Sequence, residues 1–222
     1  MPRISFKAAQ QKLPPEWPVE LGSSIRQDLD ALRQTVVVFD DDPTGTQTVS
    51  GVAVLSEFSV PALQAELETG PPVFYILTNS RSLSASEARS LNLGIARNLA
   101  EAARLARREV AVVSRSDSTL RGHFPGEVKA LMEGLAQRFD AILLIPSFFS
   151  GGRFTLNDVH YVAEGDQLIP AAETEYARDS IFGYRSSNLR QWVEEKTGGR
   201  VPWQQVASIS VEDLRVGGPQ RV

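Results

Sequence analysis

Short apolar runs alternate along this chain with amphipathic helical stretches, and few folds accommodate that order. Residues 36–39 (Val-Val-Val-Phe) form a continuous apolar run, as a strand covered on both faces requires, and the run stops abruptly at Asp40, Asp41 and Asp42. Residues 51–55, 73–77, 110–113 and 141–145 carry the same signature, while 24–34, 61–68 and 125–137 have helical spacing, with Ile25, Leu29 and Leu32 marking the first of them. A longer helix begins where Ser84 and Glu87 have the capping-box spacing and runs to about Arg107. Its apolar positions Ala88, Leu91, Ile95, Leu99, Ala102 and Ala106 recur every three to four residues, which predicts one packed face. Strands alternating with helices predict a three-layer, Rossmann-like α/β domain with a mostly parallel sheet. Beyond Phe149 the pattern changes. Residues 159–163 and 167–169 flank Glu164-Gly165-Asp166 as the arms of a hairpin, a small insertion after the last core strand. Residues 187–196 then predict a helix closed by Gly198 and Gly199, and 206–210 a returning strand. Residues 1–20, punctuated by Pro14, Pro15 and Pro18, read as an extension lying on another surface, with one domain over 21–222.

Composition then narrows the function. A chain of 222 residues buries enough surface to fold without disulfides, and it has no cysteine to make one, which fits a reducing compartment and rules out thiolate zinc sites and a cysteine nucleophile. The net charge of −4 and pI near 5.3 argue against a nucleic-acid or membrane-surface partner and for a small-molecule ligand. No apolar stretch approaches the roughly 20 residues that cross a bilayer, and no signal segment follows Met1, so a cytoplasmic location is expected. His123 and His160 are the only histidines, so any metal would rest on carboxylates, and no metal site is assigned.

Ligands of open parallel sheets bind beyond the carboxyl ends of the strands, and four predicted strands end in polar loops. These are Asp40-Asp41-Asp42-Pro43-Thr44-Gly45, Thr78-Asn79-Ser80-Arg81, the segment from Ser114 to His123, and the segment from Pro146 to Arg153. Adjacent aspartates repel one another and call for a cation, an arginine or a ligand hydroxyl, although the same residues also make ordinary turns. Arg81, Arg115, Arg121 and Arg153, each capable of an internal ion pair, fall on the same predicted rim. Together these groups suit an acid held bidentately by arginine and hydroxyls held by aspartate. The segment Arg121 to Gly126 opens a helix, whose free N–H groups favour an anion.

At these loops the sequence resembles the four-carbon acid sugar kinase family. The resemblance rests on Asp41-Asp42-Pro43-Thr44-Gly45, Asn79-Ser80-Arg81, Asp117-Ser118-Thr119-Leu120-Arg121-Gly122 and the Gly151-Gly152-Arg153 end of the fourth loop. It departs at Pro43, where leucine is common, and at Ser114 and Arg115, where lysines are common. The resemblance implies the amino-terminal half of a two-domain enzyme that phosphorylates a hydroxyl of threonate, erythronate or a 3-oxo form. ATP and Mg²⁺ are then expected on a separate nucleotide-binding domain or subunit, since no Gly-rich phosphate loop with a lysine occurs here. It implies Asp41 as base, with Asp117 as alternative or hydroxyl-orienting partner. Asp42, Thr44, Asn79, Ser80, Arg81, Ser116, Ser118, Arg121, Gly122, Gly152, Arg153 and His160 are the residues implied to hold the acid, and a homodimer is possible. Two other readings stay open. The run from Val36 to Thr44 also looks like the first motif of haloacid dehalogenase-type phosphatases, with Asp40 as nucleophile and Asp42 as acid/base, but residues 146–148 supply no carboxylate for Mg²⁺. Alternatively the chain is a sugar-acid-binding module without catalysis.

Overall fold

The computed structural model describes residues 2–32 and 34–222. In chain order the elements are β1 (Ile4–Ser5), α1 (Phe6–Gln11), α2 (Gly22–Leu32), β2 (Gln34–Asp40), β3 (Ala53–Leu55), α3 (Val60–Thr69), β4 (Val73–Leu77), α4 (Ala85–Ala106), β5 (Glu109–Arg115), α5 (Gly126–Leu135), β6 (Arg153–Leu156), β7 (Val159–Glu164), β8 (Gln167–Pro170) and α6 (Leu189–Lys196), joined by short 3₁₀ turns. They fall into two compact units. One comprises Leu21–Asp117 and Gly122–Leu143; the other comprises Met1–Glu20, Ser118–Arg121 and Leu144–Val222.

The first unit holds a parallel sheet of order β3-β4-β2-β5. Its strands are the expected ones, and β4 has the expected bounds. The β-branched run of β2 places Val37 and Phe39 in a core with Phe74 and Ile76 of β4, Leu63 and Leu67 of α3, Ile95, Leu99 and Ala102 of α4, and Leu131 and Leu135 of α5. Each of the large side chains contributes about 1.5–3 kcal/mol by leaving water. Ser84 accepts from the Glu87 amide and Glu87 reaches back to the Ser84 amide, so the capping box forms as its spacing predicts. Two expectations fail here. Residues 141–145 form no strand: Ile142, Leu143 and Ile145 are exposed, and β5 is paired on one side alone among the described residues. An apolar run identifies a segment able to pair but not its partner, and here the passage from one unit to the other falls inside the run. The apolar positions of α2 also lie in solvent rather than in a core.

The second unit holds an antiparallel sheet of order β1-β8-β7-β6. The hairpin of β7 and β8 closes through Gly165, whose φ of 59° suits the tight turn. Strand β6, which the apolar pattern did not reveal, pairs with β7 across Asn157 and Asp158, both at positive φ, as a two-residue turn of this hand requires. The amino-terminal extension lies on this sheet, with Ile4 opposite Leu168, while Ala9 joins Tyr161 and Leu168 in a small core. Helix α6 starts at an Asn188 cap and buries Leu189, Trp192 and Val193. Residues 206–210 pair with no strand among the described residues: the Val206 amide donates to the Trp203 carbonyl, the Ser210 amide to Asp213, and Ser208 bonds Asp158. The α/β, Rossmann-like expectation with a mostly parallel sheet and a hairpin-bearing insertion is therefore met, with these local corrections. No described helix is long and apolar enough to cross a membrane.

Candidate functional site

Because β2, β4 and β5 are parallel, the loops leaving them emerge at one end of the sheet, and their first residues meet in register: Asp40 lies between Leu77 and Arg115. The three aspartates that follow one another in sequence occupy three different environments. Asp40 is fully buried; its Oδ1 accepts from Arg115 Nη1 at 2.8 Å, and its Oδ2 has no hydrogen-bond partner among the described residues. Burial pushes the Asp40 pKa up, against the pull of the Arg115 hydrogen bond and charge. Asp41, 2% exposed, accepts from Arg81 at both oxygens and from Ser116 Oγ at 2.7 Å. Asp42 accepts from Arg81 Nη1 at 2.8 Å, from the Thr44 amide at 2.7 Å and from the Thr44 hydroxyl at 2.6 Å. Burial alone would raise the Asp42 pKa, but the Thr44 bonds and the charges of Arg81 and Arg115 bring it below the usual carboxylate value.

Arg81 is the centre of this arrangement. Its backbone amide donates to the Asp41 carbonyl at 3.1 Å while its planar fork spans the carboxylates of Asp41 and Asp42. Burial disfavours its charge, yet the bonds to Asp41 and the charges of Asp41, Asp42 and Asp117 raise its pKa. The turn that presents it passes through Asn79 at φ 50°, a left-handed conformation asparagine tolerates well. Ser80 turns inward, its Oγ in contact with Glu127 Oε1.

Gly45 shows how tightly the first loop is drawn over this cluster. A Cβ there would coincide with Arg115 Nη1 and the Asp40 carboxylate. Gly45→Ala is therefore expected to lower stability by about 1–3 kcal/mol through overpacking, measurable by urea denaturation. An unchanged denaturation midpoint would show that the Asp40–Arg115 pair yields freely.

The remaining site residues of the sequence reading take these places. Gly122 has φ 144°, and a Cβ on it would meet Ser116 Oγ and Asp41 Oδ2, so the backbone passes close beside the carboxylate cluster. In the second unit, Arg121 and Arg153 both lie over the ring of Tyr176, with guanidinium carbons 5.1 and 5.5 Å from its centroid. Arg121 also reaches Asp179 at 3.9 Å, and Arg153 donates to the Gly151 carbonyl and to Tyr176 Oη at 3.4 Å. Gly152, at φ 73°, closes the short turn that precedes β6. His160 is fully buried, with Nε2 donating to the Ser118 carbonyl at 2.7 Å and Nδ1 facing Thr155 Oγ1 at 3.0 Å.

Thus Asp41, Asp42, Thr44, Arg81 and Ser116 come together in the first unit, and Arg121 and Arg153 share an aromatic face in the second. Three of the four loops leave the parallel sheet at the same end; the fourth, residues 146–153, follows no strand. His123 bonds the Leu83 carbonyl at 3.0 Å. Sequence reasoning missed Glu127, Asn92 and Tyr176. Glu127 is an acid in the first turn of a helix, where acids are common on the surface, so nothing in its position signals burial.

Residues 36–221 match the family described as the sugar-binding N-terminal domain. The chain belongs to that family. This membership bears out the resemblance to the amino-terminal domain of four-carbon acid sugar kinases. The sugar-binding domain is similar in fold to a solved domain of unknown function (DUF1537) from Bordetella bronchiseptica, described as a domain-swapped dimer with bound citrate. The two are 22% identical with a TM-score of 0.55, over 85% of this chain and 51% of that one, so the sugar-binding domain spans about half the length of that solved chain. No curated protein matches it.

Proposed function

We propose that this sugar-binding domain receives the four-carbon sugar acid of an ATP-dependent kinase, of the threonate, erythronate or 3-oxo-tetronate type. The observation that carries the reading is the Arg81 fork across Asp41 and Asp42 beside Ser116, at the carboxyl ends of three parallel strands. A guanidinium matches the planar carboxylate of such an acid, and aspartate and serine oxygens match its hydroxyls. In the same reading Asp41 or Asp117 accepts the proton of the acceptor hydroxyl, while Arg121, Arg153, Asn79 and Ser118 serve binding. ATP and Mg²⁺ would be held by a further domain or subunit. The domain-swapped dimer of the Bordetella protein makes a homodimer a natural arrangement to test, and its citrate recommends that acid as a probe. The phosphatase alternative is less well supported, because its nucleophile would be Asp40, which is fully buried and paired with Arg115.

A thermal-shift titration with D-threonate, D-erythronate, their stereoisomers, 3-oxo-tetronates and citrate, with and without Mg-ATP, tests the proposal. At a hundredfold excess over Kd one acid should add about 2.7 kcal/mol and raise Tm by roughly 5–10 °C, with no shift from Mg-ATP alone. If every acid leaves Tm where it was, the reading of the rim as an acid site fails.

A further inference from the structure

Beneath the Arg81 turn lies a buried titratable group to which the proposed function gives no part. Glu127, in the first turn of α5, is 5% exposed. Its Oε1 contacts Ser80 Oγ and receives Asn92 Nδ2 from α4 at 3.1 Å. Ser80 Oγ lies 2.9 Å from Thr78 Oγ1, and Thr78 Oγ1 lies 3.0 Å from the carbonyl oxygen of Asp40. Three oxygen-to-oxygen contacts therefore run in series from Glu127 to the end of β2, and each needs one proton between its atoms.

The hydroxyls of Ser80 and Thr78 supply two protons. The neighbouring N–H groups do not lie between these oxygens: the Ser80 amide points at Thr78 Oγ1 from 3.4 Å, the Thr78 amide reaches the Asp40 carbonyl at 2.9 Å beside the hydroxyl, and the Asn92 amide is directed at Glu127 and the Ala88 carbonyl. With Glu127 ionised, one contact in the series is a pair of facing oxygens with nothing between them. A proton on Glu127 completes it in one direction: Glu127 donates to Ser80, Ser80 to Thr78, and Thr78 to the Asp40 carbonyl.

We infer that Glu127 is held as the neutral acid and is a positioning residue for the acid site, its proton locking the Thr78–Arg81 turn from which Arg81 reaches Asp41 and Asp42. The role assigned to that site rests on the proposed function; the proton and the locked turn do not. The surroundings agree. Burial pushes the Glu127 pKa up, Ser80 and Asn92 pull it down by hydrogen bonding, and the facing charges are Asp41 from β2, which raises it, and His123 from the turn before α5, which lowers it. A carboxyl with a raised native pKa keeps a proton that the unfolded chain releases, so its contribution to stability is present in acid and is lost as pH rises from the ordinary glutamate range through the native value.

Glu127→Gln and Glu127→Ala test this. In Glu127→Gln the side-chain amide replaces the acid as donor to Ser80 and does not titrate. Infrared spectra at neutral pH should show a protonated-carboxyl C=O band in the native protein that vanishes in Glu127→Gln. The Tm of the native protein should fall relative to that of Glu127→Gln as pH rises. In proton-exchange NMR, the slowly exchanging Arg81 Nε–H should persist in Glu127→Gln and be lost in Glu127→Ala. D-threonate should bind Glu127→Ala about tenfold or more weakly, with Glu127→Gln restoring most of the loss. Identical infrared spectra, or Tm profiles that run parallel with pH, would overturn the neutral acid. An Arg81 Nε–H equally protected in Glu127→Ala would overturn the positioning role. If D-threonate binds none of the proteins, the acid-site reading is what fails, and the infrared, Tm and Arg81 measurements still decide the role of Glu127.

Discussion

Arg81→Ala is expected to destabilise the domain by about 3 kcal/mol or more, because removing one partner of a largely buried ion pair leaves the other charge uncompensated. The Arg81 side chain is 19% exposed and that of Asp41 only 3%, so water cannot take over the role of the guanidinium at Asp41. For a domain of this size the loss corresponds to a fall in Tm of roughly 6–12 °C. Arg81→Lys should fall between the two proteins: an ammonium keeps the charge but cannot span Asp41 and Asp42 as a planar fork. Binding of a sugar acid should be lost in Arg81→Ala even at temperatures where it is folded, since both the bidentate donor and the orientation of Asp41 go with it. Calorimetric denaturation checks the first claim and isothermal titration the second. A Tm within about 1 °C of the native value would mean that the pair stabilises no more than a solvent-exposed bridge does.

How far the sequence revealed this molecule depends on whether a signal is local. β4 and the capping box at Ser84 were legible because both are written in consecutive residues: a five-residue apolar run between breakers, and a hydroxyl three positions before a carboxylate. The hairpin of β7 and β8 was legible for the same reason, through Glu164-Gly165-Asp166. Segment 141–145 has an equally good strand signature and remains unpaired, because pairing is decided by what lies alongside, which periodicity does not encode. Strand β6 escaped notice because its turn is Asn157-Asp158 rather than a glycine turn. In the site, Asp41, Asp42 and Arg81 could be found by inspecting the loops at strand ends, since a parallel sheet brings those loops together whatever else it does. That Asp40 pairs with Arg115, Asp41 with Arg81 and Ser116, and Asp42 with Thr44 could not be read, because three neighbouring carboxylates in one loop differ only in where the backbone points them. Glu127 was hidden for the opposite reason: its partners Ser80 and Asn92 lie 47 and 35 positions away.

His160 supplies a second large effect and separates a structural role from a binding one. His160→Ala is expected to cost about 2–4 kcal/mol, from the cavity left by a fully buried ring and from the Ser118 carbonyl and Thr155 hydroxyl that lose their partner. The corresponding fall in Tm is roughly 5–15 °C. The Ser118 carbonyl can only accept, so the ring carries hydrogen on Nε2 and offers Nδ1 to Thr155. Tyr184 holds the next carbonyl, that of Thr119, at 2.8 Å, and Leu120 follows at φ 68°. The Ser118–Arg121 segment thus owes its conformation to buried side chains of its own unit, which ties the most specific motif in the sequence to packing. His160→Gln, with one amide donor and one carbonyl acceptor, should recover a large part of the lost stability. If His160 serves the fold, acid affinity measured by calorimetry should recover in His160→Gln in step with stability. A variant that regains its Tm but still fails to bind D-threonate would instead place the imidazole on the ligand, and the two ring hydrogen bonds seen here would have to exchange for it.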